Sequence, residues 1–133
     1  MNVLIIDGQG GGIGAQLVSS IMNHFPDYDI TAVGTNGAAT AAMMKSGAKS
    51  AATGENAVIV GCRTADIIIG PVGIVIADSL LGEITPAMAV AVGQSRGKRI
   101  LIPVNQCDNV VAGVADTSAG KLILNVIDII KSF

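Results

Sequence analysis

Three carboxylates stand where they could meet a ligand. Asp7 closes the apolar run Val3-Leu4-Ile5-Ile6 and leads into Gly8-Gln9-Gly10-Gly11-Gly12-Ile13-Gly14, while Asp78 and Glu83 lie in a long crossing ahead of another helix start. A strand that ends in glycines and turns into a helix is a backbone device for holding phosphate. Glycine lets the chain turn tightly and lets a phosphate approach the backbone, and the helix beginning near Gly12 presents unpaired N–H groups and the positive end of its dipole. Asp7 beside a phosphate is repulsive unless a metal intervenes or its carboxylate bonds backbone N–H groups. The second, structural role is the expectation. Glu83 just ahead of a helix fits a dipole-complementing acid, and Glu83 and Asp78 are the candidates for any carboxylate chemistry.

Other chemistry-bearing residues are sparse. His24, the single histidine, sits before Pro26 at a helix end remote from the glycines, where a favourable charge at the helix C-terminus accounts for it. Cys62 and Cys107 fit neither a zinc pattern nor a disulfide framework and read as small core hydrophobes, Cys107 with some prospect of reactivity in a loop. No metal site is expected. The glycine run satisfies two spacings at once. Gly10, Gly12 and Ala15 fit G-x-G-x-x-A, and Gly8, Gly12 and Gly14 fit the G-x-x-x-G-x-G of short-chain dehydrogenases. Such a dehydrogenase also needs a Tyr and a Lys four apart, yet Tyr28 is followed four residues on by Ala32. Neither Gly97-Lys98-Arg99 nor Gly120-Lys121-Leu122 has the form of a P-loop.

The elements that must position these residues follow from composition and periodicity. The chain has 133 residues, 14% charged and 50% hydrophobic, against roughly 25% charged in an ordinary soluble domain. One domain, 1–133, that covers surface in a homo-oligomer, dimer or tetramer, is the expectation. A net charge of −2, one Tyr, two Phe and no Trp argue against nucleic-acid binding. The stretch Ile67 to Leu81 is broken by Gly70, Pro71, Gly73 and Asp78 and cannot span a bilayer, and the N-terminus lacks a basic leader, so no membrane role and a cytoplasmic location are expected.

Taken in order, a strand over Asn2 to Ile6 precedes a helix with Ile13, Leu17, Ile21 and Phe25 four apart. A second strand, Asp29 to Val33, leads through Gly34-Thr35-Asn36, where Thr35 or Asn36 caps a helix from Ala38 to Ser46 that Gly47 ends. A short strand at Lys49 to Ala51, a helix from about Glu55 to Arg63, and a buried strand Ile67 to Ile69 follow. Ile74 to Leu81 is ambiguous, with a short helix or irregular crossing preferred. Thr85 as N-cap and Pro86 at the first helical position start a helix to Ser95. A strand Arg99 to Val104, with Asn105 at its end, a last short strand Val110 to Val114, and a helix capped by Ser118 complete the chain. The last helix carries a face of Leu122, Ile123, Val126, Ile127, Ile129, Ile130 and Phe133, broad enough to meet both the sheet and a partner. The alternation predicts a three-layer, Rossmann-like, doubly wound α/β domain with a mainly parallel sheet of five to six strands.

In such a sheet ligands sit at the topological switch point, so the expected contacts are Gly8, Gln9, Gly10, Gly11, Gly12 and Ile13, then Gly34, Thr35 and Asn36, then Gly70 and Pro71. An NAD site wants an Asp or Glu at the end of the second strand for the ribose, and an NADP site an Arg; the chain has neither, since Asp27 and Asp29 lie at the strand's other end. The expected ligand class is phosphate or nucleotide, the alternative being a tight strand-to-helix turn with no ligand. NAD(P) or a mononucleotide both remain open.

The segments Ile6 to Gly14, Gly34 to Asn36, Thr53 to Ala57, Gly70 to Ile74 and Gly82 to Ala89 resemble the domain-of-unknown-function family numbered 3842, along essentially the whole chain. The resemblance implies a bacterial cytoplasmic α/β protein and no particular activity. The layout of Glu83, ahead of a helix and followed by a strand, is also similar to that of phosphoribohydrolases that activate cytokinins and nucleoside deoxyribosyltransferases, where a carboxylate works on the ribosyl carbon. The expected function is a ligand-binding or regulatory protein. The alternatives are nucleotide N-glycosidic hydrolysis using Glu83, an NAD(P)-dependent oxidoreductase, and an oligomeric scaffold without ligand.

Overall fold

A computed structural model describes residues 1–104 and 108–133. The expectations for Asn105 and Cys107 lie outside the described residues. Five strands, β1 (Asn2–Asp7), β2 (Asp29–Gly34), β3 (Ser50–Thr53), β4 (Ile67–Pro71) and β5 (Lys98–Ile102), form one sheet in the order β3-β2-β1-β4-β5. Every pairing is parallel, with β1 in register on β2 from Asn2 opposite Asp29 to Asp7 opposite Gly34. Helices α1 (Gly12–His24), α2 (Gly37–Lys45), α3 (Glu55–Cys62), α4 (Pro86–Gln94) and α5 (Ala119–Lys131) cover it. The strand order reverses between β1 and β4, so the carboxyl ends of these two strands flank the switch point.

The central strands sort their side chains by the period of two. Val3 and Ile5 of β1 join Ile67 and Ile69 of β4 in a core with Leu17, Val18 and Ile21 of α1, Met43 of α2 and Ile123, Val126, Ile127 and Ile130 of α5. Leu4, Ile6 and Ile68 point the other way, onto Val58 and Cys62 of α3 and Met88, Ala89 and Val92 of α4. Both faces of β1 and β4 are buried, which is why these strands read as unbroken apolar runs.

The sequence reading of Val110 to Val114 as a strand is corrected. These residues form no strand, Gly113 turns at φ +82°, and Val110 stays 92% exposed. A short alternation has no sheet to join when it offers no buried face. The ambiguous crossing begins with a 3-10 turn, Val72–Val75, and continues irregularly. On α5 the predicted broad face divides. Its centre is buried, while Ile129 and Phe133 are partly exposed.

Candidate functional site at the carboxyl end of the sheet

After β1 the loop folds on itself, the Gly11 N–H donating to the Gly8 carbonyl at 2.9 Å. Gln9 adopts φ +50° and Gly11 φ +73°. A Cβ on Gly11 would stand 2.7 Å from the backbone of Ala39 in α2, and one on Gly14 would stand 2.6 Å from Met43 Sδ and 2.9 Å from Asp7 Cβ. These glycines let α1, α2 and β1 approach one another. Gly10 and Gly12 are different. Neither is in the left-handed region, both are exposed, and a Cβ on either would meet nothing within 4 Å.

Asp7 takes the structural role expected of it. Buried at 4% exposure, its two carboxylate oxygens accept from Gly8 N–H at 2.8 Å and Gly14 N–H at 2.7 Å. Burial pushes its carboxyl above the ordinary aspartate range; the bonds from Gly14 and Gly8 pull it back, and the Glu83 charge adds to the push. The N–H groups of Gly10, Gly12 and Ile13 have no hydrogen-bond partner among the described residues. They are the open donors of the loop.

Glu83 comes into this region from the far side of the switch point. Its Oε1 accepts from Thr35 Oγ1 at 2.6 Å, from Asn36 Nδ2 at 2.6 Å and from Gln9 N–H at 3.0 Å. Asn36 is used at both ends. Its Oδ1 caps α2 by accepting from Ala39 N–H, and its Nδ2 also donates to the Gln9 carbonyl. Partial burial disfavours the Glu83 charge, but the bonds from Thr35, Gln9 and Asn36 outweigh it and hold the carboxyl below the ordinary glutamate range. Glu83 is therefore an ionised acceptor at neutral pH.

The segment that delivers it is strained. Asp78, Leu80, Leu81 and Gly82 all have positive φ, from +54° to +87°, a costly conformation for the three that carry side chains. Leu80 is buried as an anchor, with Ser79 Oγ bonded to the Gly73 carbonyl, whereas Leu81 is 94% exposed. Beyond Glu83, Thr85 caps α4 through Met88 N–H and donates to Glu55 Oε1 at 2.6 Å.

Of the residues expected at the site, Gly8, Gln9, Thr35, Asn36 and Glu83 are brought together. Asp78 stays exposed on the same segment, and it is its backbone that closes the turn, N–H to the Ile84 carbonyl at 2.7 Å. Gly34 is buried against Thr40, and Gly70 and Pro71 are buried in β4, where the Ile6 carbonyl fills the space a Gly70 Cβ would need. What spacing could not supply is the union of Glu83 with residues 47, 48 and 74 positions away. Among the described residues no three His, Cys, Asp or Glu side chains group as metal ligands. A cavity of about 450 Å³ between Phe25, Tyr28 and Lys49 lies at the opposite, amino end of the strands.

The family model described as "Domain of unknown function (DUF3842)" matches residues 2–133. The chain belongs to this family. The match spans the glycine loop, the Thr35-Asn36 pair and Glu83. No curated protein matches the chain. A solved structure, the dodecameric FMN-dependent Ubix-like decarboxylase from Escherichia coli O157:H7, is similar to it at 14% identity and TM-score 0.50, covering 98% of this chain and 95% of that one. At that identity the likeness is one of fold, and it agrees with the doubly wound α/β arrangement. No helix among the described residues is long and apolar enough to cross a membrane.

Proposed function

We propose that the chain is a cytoplasmic ligand-binding protein that takes a phosphorylated small molecule of the nucleotide class on the loop from Gly8 to Ile13. The observation that carries this reading is the pair Gly10 and Gly12. No backbone conformation and no protein neighbour requires glycine there, and their N–H groups, with that of Ile13, are open. A phosphate approaching the backbone is what a side chain at these positions would obstruct. The similarity in fold to a protein described as FMN-dependent is compatible with a mononucleotide.

The test is calorimetric titration of the purified protein with inorganic pyrophosphate, AMP, FMN, NAD and NADP, repeated on the Gly10→Ala/Gly12→Ala double variant. Binding of at least one probe is expected, weakened about ten-fold or more in the variant, the scale of losing one or two charge-assisted hydrogen bonds. No binding by any probe at millimolar concentration would sink the reading.

A second reading, N-glycosidic hydrolysis of a nucleotide with Glu83 as the working carboxylate, is favoured by its ionised state beside the loop. It requires release of a free base, with Glu83→Gln keeping affinity and losing turnover. Self-association is part of the proposal as well. Ile129 and Phe133 leave an apolar strip partly open beside β5, and a solved structure of similar fold is a dodecamer.

A further inference from the structure

The chain lacks the acid that a dinucleotide fold carries at the end of its second strand for the ribose hydroxyls, yet a carboxylate stands there all the same. Thr35 and Asn36 directly follow β2, and both donate to Glu83, which arrives from the crossing after β4. All three of its hydrogen bonds fall on Oε1, so among the described residues Oε2 has no partner. The same Glu83 Oε1 accepts from Gln9 N–H, one residue from the open donor of Gly10. One oxygen thus fixes the side chain and leaves the other to accept.

We infer that Glu83 is the sugar-recognising residue of the proposed site, its Oε2 accepting from the vicinal hydroxyls of a ribosyl phosphate whose phosphate lies on the loop. The position is that of the usual acid at the end of β2, reached in space rather than in sequence. A carboxylate held ionised accepts from two neighbouring hydroxyls and repels a phosphate at either of them. The substrate class is accordingly a ribonucleotide with free 2′- and 3′-hydroxyls, and 2′-phosphorylated or dideoxy ligands are rejected.

This inference rests on the phosphate-binding reading, and its test separates the two. AMP, 2′,3′-dideoxyadenosine monophosphate, adenosine 2′,5′-bisphosphate and inorganic pyrophosphate are titrated into the wild type, Glu83→Gln and Glu83→Asp, with circular dichroism verifying that each variant is folded. The wild type is expected to prefer AMP about ten-fold over both sugar-altered nucleotides, and Glu83→Gln to lose that preference while still binding pyrophosphate, at equal or higher affinity now that a negative charge beside the loop is gone. Glu83→Asp, one methylene shorter, keeps the discrimination against the bisphosphate in weakened form. Equal affinity for the three nucleotides in the wild type, or a preference untouched in Glu83→Gln, overturns the inference and leaves phosphate binding standing. Failure of pyrophosphate and all nucleotides to bind overturns both.

Discussion

Thr35 and Glu83, 48 positions apart, meet at 2.6 Å across the switch point of the sheet, and that bond joins the end of β2 to the crossing that follows β4. Because the carboxylate also holds Gln9 and Asn36, its removal frees three donors together. Glu83→Ala is expected to lower stability by about 1–3 kcal/mol, the range for losing hydrogen bonds to a charged group at a partly buried site. Chemical denaturation checks this, and a change within 0.5 kcal/mol, about the scale of ordinary surface substitutions, would show that these bonds carry no net weight.

The same carboxylate predicts a pH signature. Its folded-state pKa lies below the ordinary glutamate value of 4.5, so its contribution is fully present above that value and is lost as pH falls through the folded pKa. The stability gap between wild type and Glu83→Gln should therefore stay level near neutrality and narrow below about pH 4.5, as thermal melts across pH will reveal. A gap that widens on acidification contradicts the assignment.

Asp7 should titrate in the opposite sense. Burial raises it above the ordinary aspartate value of 3.8, so ionising it costs stability as pH rises through its folded pKa. Carboxyl carbon NMR is expected to find Asp7 above its ordinary value and Glu83 below its own. In Glu83→Gln, with the neighbouring negative charge gone, the Asp7 midpoint moves down. An unmoved midpoint means the two carboxylates are not coupled.

The glycines of the loop separate into two groups by stability. Gly10→Ala and Gly12→Ala meet no neighbour and should change stability by about 0.5 kcal/mol or less. Gly14→Ala drives a Cβ against Met43 and Asp7, and Gly11→Ala drives one into the α2 backbone from φ +73°, each costing on the order of 1–3 kcal/mol. Melting temperatures of the four variants test this, and a uniform response would refute the division.

Leu81 is held at φ +57° with its side chain almost wholly in water. Leu81→Gly relieves the strain and surrenders no packing, so a gain of about 0.5–1 kcal/mol is expected from equilibrium unfolding. A loss would mean that the leucine makes contacts of its own.

Much of this architecture was legible in the residues. The glycines after Ile6-Asp7 announced the turn from strand to helix, Thr85-Pro86 marked the start of α4, the pair Thr35-Asn36 held the cap of α2, which the structure gives to Asn36, Ser118 marked that of α5, and the apolar run of β4 declared a strand buried on both faces. These signals are local, fixed by φ, by a side chain reaching its own backbone, or by periodicity. The site was legible only in pieces. Glu83 ahead of a helix looks like an ordinary dipole-complementing acid, and no spacing reveals that the left-handed run from Leu80 to Gly82 turns it toward Thr35, Asn36 and Gln9. Glycine spacing likewise could not separate Gly11 and Gly14, required by packing, from Gly10 and Gly12, which face open space.

An all-parallel sheet shapes how the chain reaches its native state. Among the described residues no strand pairs with its neighbour through a hairpin; β1 must wait for β2 across α1 and for β4 across nearly half the chain, as Val3 opposite Ile67 shows. Closing such long loops before the contacts are made slows folding, and until then Val3-Leu4-Ile5-Ile6 and Ile67-Ile68-Ile69 are apolar segments open to other molecules. The stretch that ends up best protected in the folded protein is thus the one most exposed to aggregation while the chain is being made. Cooling during synthesis, which weakens apolar association, favours recovery of the soluble form.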